Sequence, residues 1–331
     1  MKCQQCCASK SLFARRLQLK KQKEAEEAEA KAGPKQLVVT PQSLLYNYDD
    51  VSAMAEYILR TCRIRPKFGV VCSTVLSSMV NMIENPVDIP FKDIPQFPVS
   101  PVEGHDNKLV VGTFMGATVI AMQGRIHTYD GFELASCTVP VHVMKLCGVK
   151  YVFFTSAAGA VNPAYAVGDI MLIKDHINLF GMMGSSPLIG PHDSRFGGPC
   201  MSMVNAYDNR LLERGMEIGK SLGYEECLHT GVFACLGSPV YETEAEQKIL
   251  SLLGVDAVGM SLVHEVIVAH HCGLKVFSFV LITVSGFGED EDSAVVNSES
   301  FLRQQQYACN ELIARLIYDI QNDHLSHPKS S

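Results

Sequence analysis

Along most of this chain, short apolar runs rich in β-branched residues alternate with longer stretches whose apolar positions return every three to four residues. From about residue 48 onward the short runs predict strands over 68–72, 109–114, 118–122, 151–155, 170–174, 231–236 and 276–283. The longer stretches predict helices at about 51–62, 133–147, 206–222, 243–253, 262–272 and 298–321. Two helix boundaries are marked chemically. Thr243-Glu-Ala-Glu246 is a capping box, in which hydroxyl and carboxylate satisfy each other's backbone donors at a helix start. Gly273 stands where a helix-terminating glycine belongs. Strands alternating with helices predict an α/β domain with helices layered on a sheet.

Within that pattern the stretch 155–178 is the most informative. Ala157-Ala158-Gly159 follows an apolar run, and a Gly168-Asp169 turn precedes the next one. Removing side chains where a strand emerges is useful when a ligand or another backbone lies close. An ordinary tight turn is the alternative.

Length and composition bound the picture. With 331 residues, 47% of them hydrophobic and 19% charged, the chain can build one large domain or two small ones. No apolar run reaches the roughly 18 to 20 residues that cross a bilayer, and the first residues are too polar for a secretory signal. A cytoplasmic location with no integral membrane association is expected. The twelve cysteines include Cys72, Cys147, Cys235 and Cys272, each single within an apolar run, as buried reduced thiols would be. Net charge is −7, but residues 1–35 hold nine Lys or Arg against four Glu, leaving −12 for the rest. That balance argues against nucleic acid as a partner of the globular part.

Residues 1–35 read as a disordered basic extension carrying Cys3, Cys6 and Cys7 and ending at Gly33-Pro34. No second ligand pair lies near these cysteines at zinc spacing. Lipidation of the cysteines beside the basic run, or a presequence for mitochondria, are the alternatives to a plain tail. The folded domain is expected over 36–322, with a flexible tail at 323–331.

Three segments put polar or cationic groups just beyond an apolar run: Gly104-His105, Gly124-Arg-Ile-His-Thr-Tyr129 and Asp256-Ala-Val-Gly-Met-Ser261. In α/β sheets ligands bind there. Arg125, His105, His127 and Ser261 could together hold an oxyanion, Arg offering a planar fork and His a donor near neutral pH. Singly, each has a structural reading. Glu242, just before the capping box, would be favoured by the helix dipole in any case.

Several words in order resemble one family, the trimeric purine nucleoside phosphorylases and their methylthioadenosine relatives. They are Met122-Gln-Gly-Arg-Ile-His-Thr-Tyr129, Ala157-Ala-Gly-Ala-Val-Asn162, Val167-Gly-Asp-Ile-Met-Leu-Ile-Lys-Asp-His-Ile-Asn178, Tyr241-Glu-Thr243, Ala257-Val-Gly-Met-Ser261 and Glu265-Val-Ile-Val-Ala269. The similarity spans about 51–317. It implies a three-layer α/β/α fold with a central mixed sheet, and a homotrimer with sites near the subunit interfaces. It also implies phosphorolysis, in which phosphate displaces the base from C1′ of a purine ribonucleoside in purine salvage, without metal or organic cofactor. On this resemblance phosphate falls to Thr74, His105, Arg125, His127, Ala158 and Ser261. The nucleoside falls to Tyr129, Met260, Tyr241, Glu242, Val258, Val284 and Ser298, with Phe196 reaching from a neighbouring subunit. Glu242 matches the inosine and guanosine type rather than the methylthioadenosine type.

Three positions depart from the family pattern. The glycine-rich phosphate loop reads Ser73-Thr-Val-Leu-Ser77, where Val75 resists positive φ. The Leu-Ile-Thr-Asn motif reads Leu281-Ile-Thr-Val284, so the amide that bonds purine N7 and O6 is missing. Losing such a bond costs about 10²- to 10³-fold in turnover, so a slow enzyme or a silent nucleoside-binding paralogue is the expectation that follows. The histidine of the ribose 5′-hydroxyl aligns with Ser298, past the acidic segment 286–292.

Overall fold

The computed structural model describes residues 46–101, 106–190, 193–237, 239–284 and 299–323, the side chains of 74–76 and 299–303 excepted. The expected 1–35 extension, and the tail beyond Asp323, lie outside the described residues.

Helix α1 (Tyr48–Cys62) opens on a capping box between Asn47 and Asp50 and closes at Arg63 in the left-handed region, φ 56°. Its Val51, Met54, Ala55, Ile58 and Cys62 are buried, a stripe at helical spacing. The remaining helices are α2 (Leu134–Cys147), short α3 (Leu179–Met182), α4 (Asn209–Ser221), α5 (Glu244–Leu252), α6 (Val263–His271) and α7 (Glu299–Gln321). The capping box at Thr243 and Glu246 is present, and Gly273 takes φ 71° just past α6.

Nine strands make one mixed sheet: β1 (Phe68–Val71), β2 (Glu84–Pro90), β3 (Lys108–Phe114), β4 (Ala117–Gln123), β5 (Tyr151–Ala160), β6 (Ile170–Asn178), β7 (Leu228–Cys235), β8 (Ala257–Gly259) and β9 (Lys275–Val284). Their order is β2-β3-β4-β1-β5-β8-β7-β6-β9, and β5 also pairs with β9. That last pairing closes β5, β8, β7, β6 and β9 into a ring, so half of the sheet curls while β1 to β4 extend as a blade. Apolar clusters lie on both faces. One joins α1, α2 and α6 to the sheet around Met54, Ile58, Phe154 and Val266; the other seats α4 and α7 around Phe68, Phe153, Phe277 and Leu312. Helix α4 packs close because Gly215 and Gly219 face the strands. A Cβ at Gly215 would stand 2.8 Å from the Phe277 ring, and one at Gly219 would collide with Leu228.

Two strands, the short helix α3 and a nine-residue 3-10 helix escape the hydrophobic pattern. β2 is largely exposed and carries Pro86 and Pro90, as an edge strand can. β8 has three residues, too few to show a period. Residues Thr74–Met82 coil as a 3-10 helix. A correction concerns Ala157-Ala158-Gly159, read as the start of a turn. β5 continues through them to Ala160, pairing with β9 from Tyr151 to Gly159 and with β8 at Gly159 and Ala160. β9 pairs with all three residues, and β8 joins on the other side at Gly159, so the small side chains make room without ending the strand.

Candidate functional site

β4 delivers Arg125 through Gly124, whose φ of 100° and contact with Asn107 (a Cβ would lie 3.0 Å from its N) leave room only for glycine. Arg125 is 5% exposed. Its Nη1 donates to Thr155 O at 2.9 Å, and its Nε lies 3.1 Å from the Glu265 carboxylate on α6. Glu265 is buried; desolvation raises its pKa, and Arg125 pulls it back down. Among the described residues Nη2, also buried, has no hydrogen-bond partner. A buried guanidinium donor held by two fixed neighbours and left with one free arm is suited to an oxyanion.

Thr155 ties this cation to the loop after β1. Its hydroxyl accepts from Ser73 N at 3.0 Å and donates to Val71 O at 3.3 Å, while its carbonyl holds Arg125. Ser73 is extended (φ −74°, ψ 158°) and starts the 3-10 helix. The glycine-free loop thus does not need positive φ. The first backbone N–H groups of that helix have no intrahelical acceptor and can serve an anion as the glycine loop would. Of Thr74 only the backbone is described.

From the other side come β8 and the turn that follows it. Ser261, 4% exposed, lies 3.0 Å from Ser156 Oγ, which also reaches Ala157 O at 3.0 Å. Ser156 has one hydroxyl hydrogen, shared between Ala157 O and Ser261; when it is given to Ser261, the Ser261 hydroxyl can turn its own hydrogen toward an anion. The next residue, Leu262, has φ 81° and ψ −48°, with Val263 N donating to Ser261 O at 3.0 Å. That is a γ-turn in its strained hand, a conformation costing about 1 to 3 kcal/mol that marks a constrained site. Met260 is half-buried beside it.

His127 opens a short 3-10 turn, Thr128–Asp130, its Nδ1 3.6 Å from Asp130 Oδ2 and its ring stacked on Tyr129 at 4.5 Å. Tyr129 is partly exposed, its hydroxyl pKa raised by burial and by Asp130. Gly159 pairs with Val258 on one side and Val284 on the other, so these three line up across the sheet. Ala158 is buried next to them and its carbonyl accepts from Thr283 Oγ1 at 3.4 Å. Glu242 is half-buried, its carboxyl raised by desolvation, whereas Tyr241 is 75% exposed. Phe196 packs within its own chain, 5.1 Å from the Tyr48 ring and 4.4 Å from His142. His105 and Ser298 lie outside the described residues.

Three residues that sequence reasoning gave no role hold the site together: Thr155, Ser156 and Glu265. Glu265 had a legible signal, since an acid leading the apolar run Val266–Ala269 on a buried helix needs a buried cation. His264 had none. It is 3% exposed, both ring nitrogens lack a partner among the described residues, and burial together with Arg125 pushes its pKa down to about 3.

The chain is similar to known proteins. Residues 67–318 fit the model of the phosphorylase superfamily. The chain is 43% identical over 278 residues to a purine nucleoside phosphorylase of Anopheles gambiae, covering 83% of this chain and 79% of that one. This chain belongs to the purine nucleoside phosphorylase family. A bovine member is 42% identical over 267 residues, 81% of this chain and 92% of its own. Among solved structures, isoform 2 of the Schistosoma mansoni family member, in complex with cytosine and ribose-1-phosphate, superposes with TM-score 0.77 at 36% identity, covering 82% and 96% of the two chains. The family's shared framework is therefore present from β1 to α7.

Proposed function

We propose that this chain is a purine nucleoside phosphorylase of the inosine and guanosine type, cleaving the N-glycosidic bond with inorganic phosphate to give free base and ribose 1-phosphate. The observation that carries this is the buried Arg125, fixed on Glu265 and Thr155, whose buried Nη2 has no hydrogen-bond partner among the described residues. Phosphate is held by Arg125, Ser261, His127, His105, the Ala158 amide, Thr74 and the amides that open the 3-10 helix. One phosphate oxygen bonds to C1′ as the C1′–N9 bond breaks, and the bonding pair leaves on the purine. Catalysis rests on holding the phosphate charge against an oxocarbenium-like sugar and stabilising the charged base. Tyr129, Met260 and Ser298 take the ribose; Tyr241, Glu242, Val258 and Val284 take the base. Phosphate is a co-substrate, and neither a metal nor an organic cofactor takes part.

Exposed Tyr241 fits a base site that is completed by another subunit, and Phe196 would supply the aromatic from a neighbour in a homotrimer. Met182, Met183, Ile189 and Val204 are exposed apolar side chains in the segment that carries Phe196, as a subunit contact would require. No helix among the described residues is long and apolar enough to cross a membrane. The nine described cysteines are free thiols, in keeping with a cytoplasmic location.

Incubating the purified chain with inosine and phosphate and following hypoxanthine tests the reading; no release above buffer at high enzyme concentration would reject it. Val284 favours a second reading, a silent paralogue that binds nucleoside. Its mark is thermal stabilisation by inosine without turnover.

A further inference from the structure

Outside the anion site, three side chains with metal-ligating atoms converge where α2 meets the end of α6. His142 comes from α2, His271 is the last residue of α6, and Cys272 follows it; their donor atoms all lie within 4.8 Å of one another. We propose that His142, His271 and Cys272 form a binding site for a divalent cation of the zinc class.

Ligand chemistry selects the cation: two imidazoles and a thiolate are a borderline-to-soft set, suited to zinc and unsuited to calcium or magnesium. Tautomer is already set at His271. Its Nε2 lies 2.9 Å from Gly198 O, a carbonyl that can only accept, so Nε2 carries the hydrogen and the lone pair resides on Nδ1. A backbone carbonyl holding the far nitrogen is the outer-shell arrangement that orients metal-bound histidines. Tetrahedral zinc at about 2.0 to 2.3 Å from its ligands spaces two nitrogens and one sulfur roughly 3.3 to 3.6 Å apart, so closure needs a contraction of up to about 1.2 to 1.5 Å. The histidines are partly buried, Cys272 is buried, and the His271 Nδ1 itself is sealed from solvent, so a bound ion would sit inside the protein. On binding, the Sγ–H proton of Cys272 passes to buffer as the metal–sulfur bond forms. Three protein ligands leave the fourth position to water.

The site also grips the Phe196 segment: His142 packs on the Phe196 ring, and Gly198 is bonded to His271. Gly197 fits only because it has no Cβ, which would lie 2.8 Å from His271 Nε2. A bound cation would brace that segment against α2 and α6.

Cobalt titration of the full chain tests this, in a background where Cys3, Cys6 and Cys7 are changed to Ser so that the N-terminal thiols cannot contribute. One equivalent of cobalt should bind with a thiolate-to-cobalt charge-transfer band that zinc abolishes. Cys272→Ala should remove the band, and His142→Gln should weaken binding by more than the roughly 10- to 100-fold that loss of an outer-shell partner costs. Cys200→Ser, which removes an exposed thiol, should leave both unchanged. A missing band, or a band and affinity unaltered in His142→Gln, overturns the proposal even if Cys272→Ala does not fold.

Discussion

Arg125 illustrates how one residue serves both folding and chemistry. Its charge neutralises Glu265, and its remaining arm is the proposed phosphate donor. Arg125→Met should lower stability by about 3 to 5 kcal/mol, because Glu265 would be left buried without a partner. Adding Glu265→Gln should restore most of that in urea melts while the KM for phosphate stays high; recovery of both would place Arg125 outside the anion site. At Val284, replacement by Asn should raise hypoxanthine release by at least about tenfold, since a hydrogen bond to the departing purine is worth about 10²- to 10³-fold. An unchanged rate would point to the phosphate loop instead. His264 gives a pH signature. Its pKa is about 3 when folded and ordinarily 6.5, so the unfolded chain takes up its proton first as pH falls. The contribution of this group is therefore intact above pH 6.5 and declines by about 1.4 kcal/mol per unit below it, toward pH 3. Denaturant midpoints between pH 7 and 5 should fall less steeply in His264→Leu than in the unaltered chain.

At the scale of elements, β5 is where pattern and packing diverged. Its apolar half, 151–155, was plain in the sequence, but Ser156 to Ala160 carry too little hydrophobicity to look like strand. Pairing with β9 as far as Gly159, and with β8 at Gly159 and Ala160, makes them one. Gly159 tests what this arrangement is for. A Cβ there would meet Val258 Cγ1 at 3.6 Å, an ordinary contact, so Gly159→Ala should change the melting temperature little. If the base lies over Gly159, Val258 and Val284, the same variant should raise the nucleoside KM several-fold. An unchanged KM would move the base elsewhere. The six longer helices were legible to within a few residues, and at two ends the local capping chemistry shows why: Thr243 with Glu246, and Gly273. β2 and β8 were not, since an exposed edge with prolines and a three-residue strand carry no period.

For the whole molecule, the proposed homotrimer predicts a sedimentation mass of three chains at micromolar concentration. Met183, 85% exposed, is the side chain we would charge: Met183→Glu should shift the species toward monomer with little loss of monomer stability. A monomeric unaltered chain would leave Tyr241 and Phe196 without the partner that the proposed base site needs. The sequence by itself determined the alternation of strand and helix, the α/β class and the residues with anion chemistry, because periodicity, caps and side-chain type are properties of neighbours along the chain. Only the tertiary structure decided that half of the sheet closes into a ring, that Glu265 belongs to Arg125 across 140 positions, and that a 3-10 turn replaces the glycine loop. Those features depend on pairings between distant segments and on the desolvation that burial imposes, neither of which is written in any local pattern.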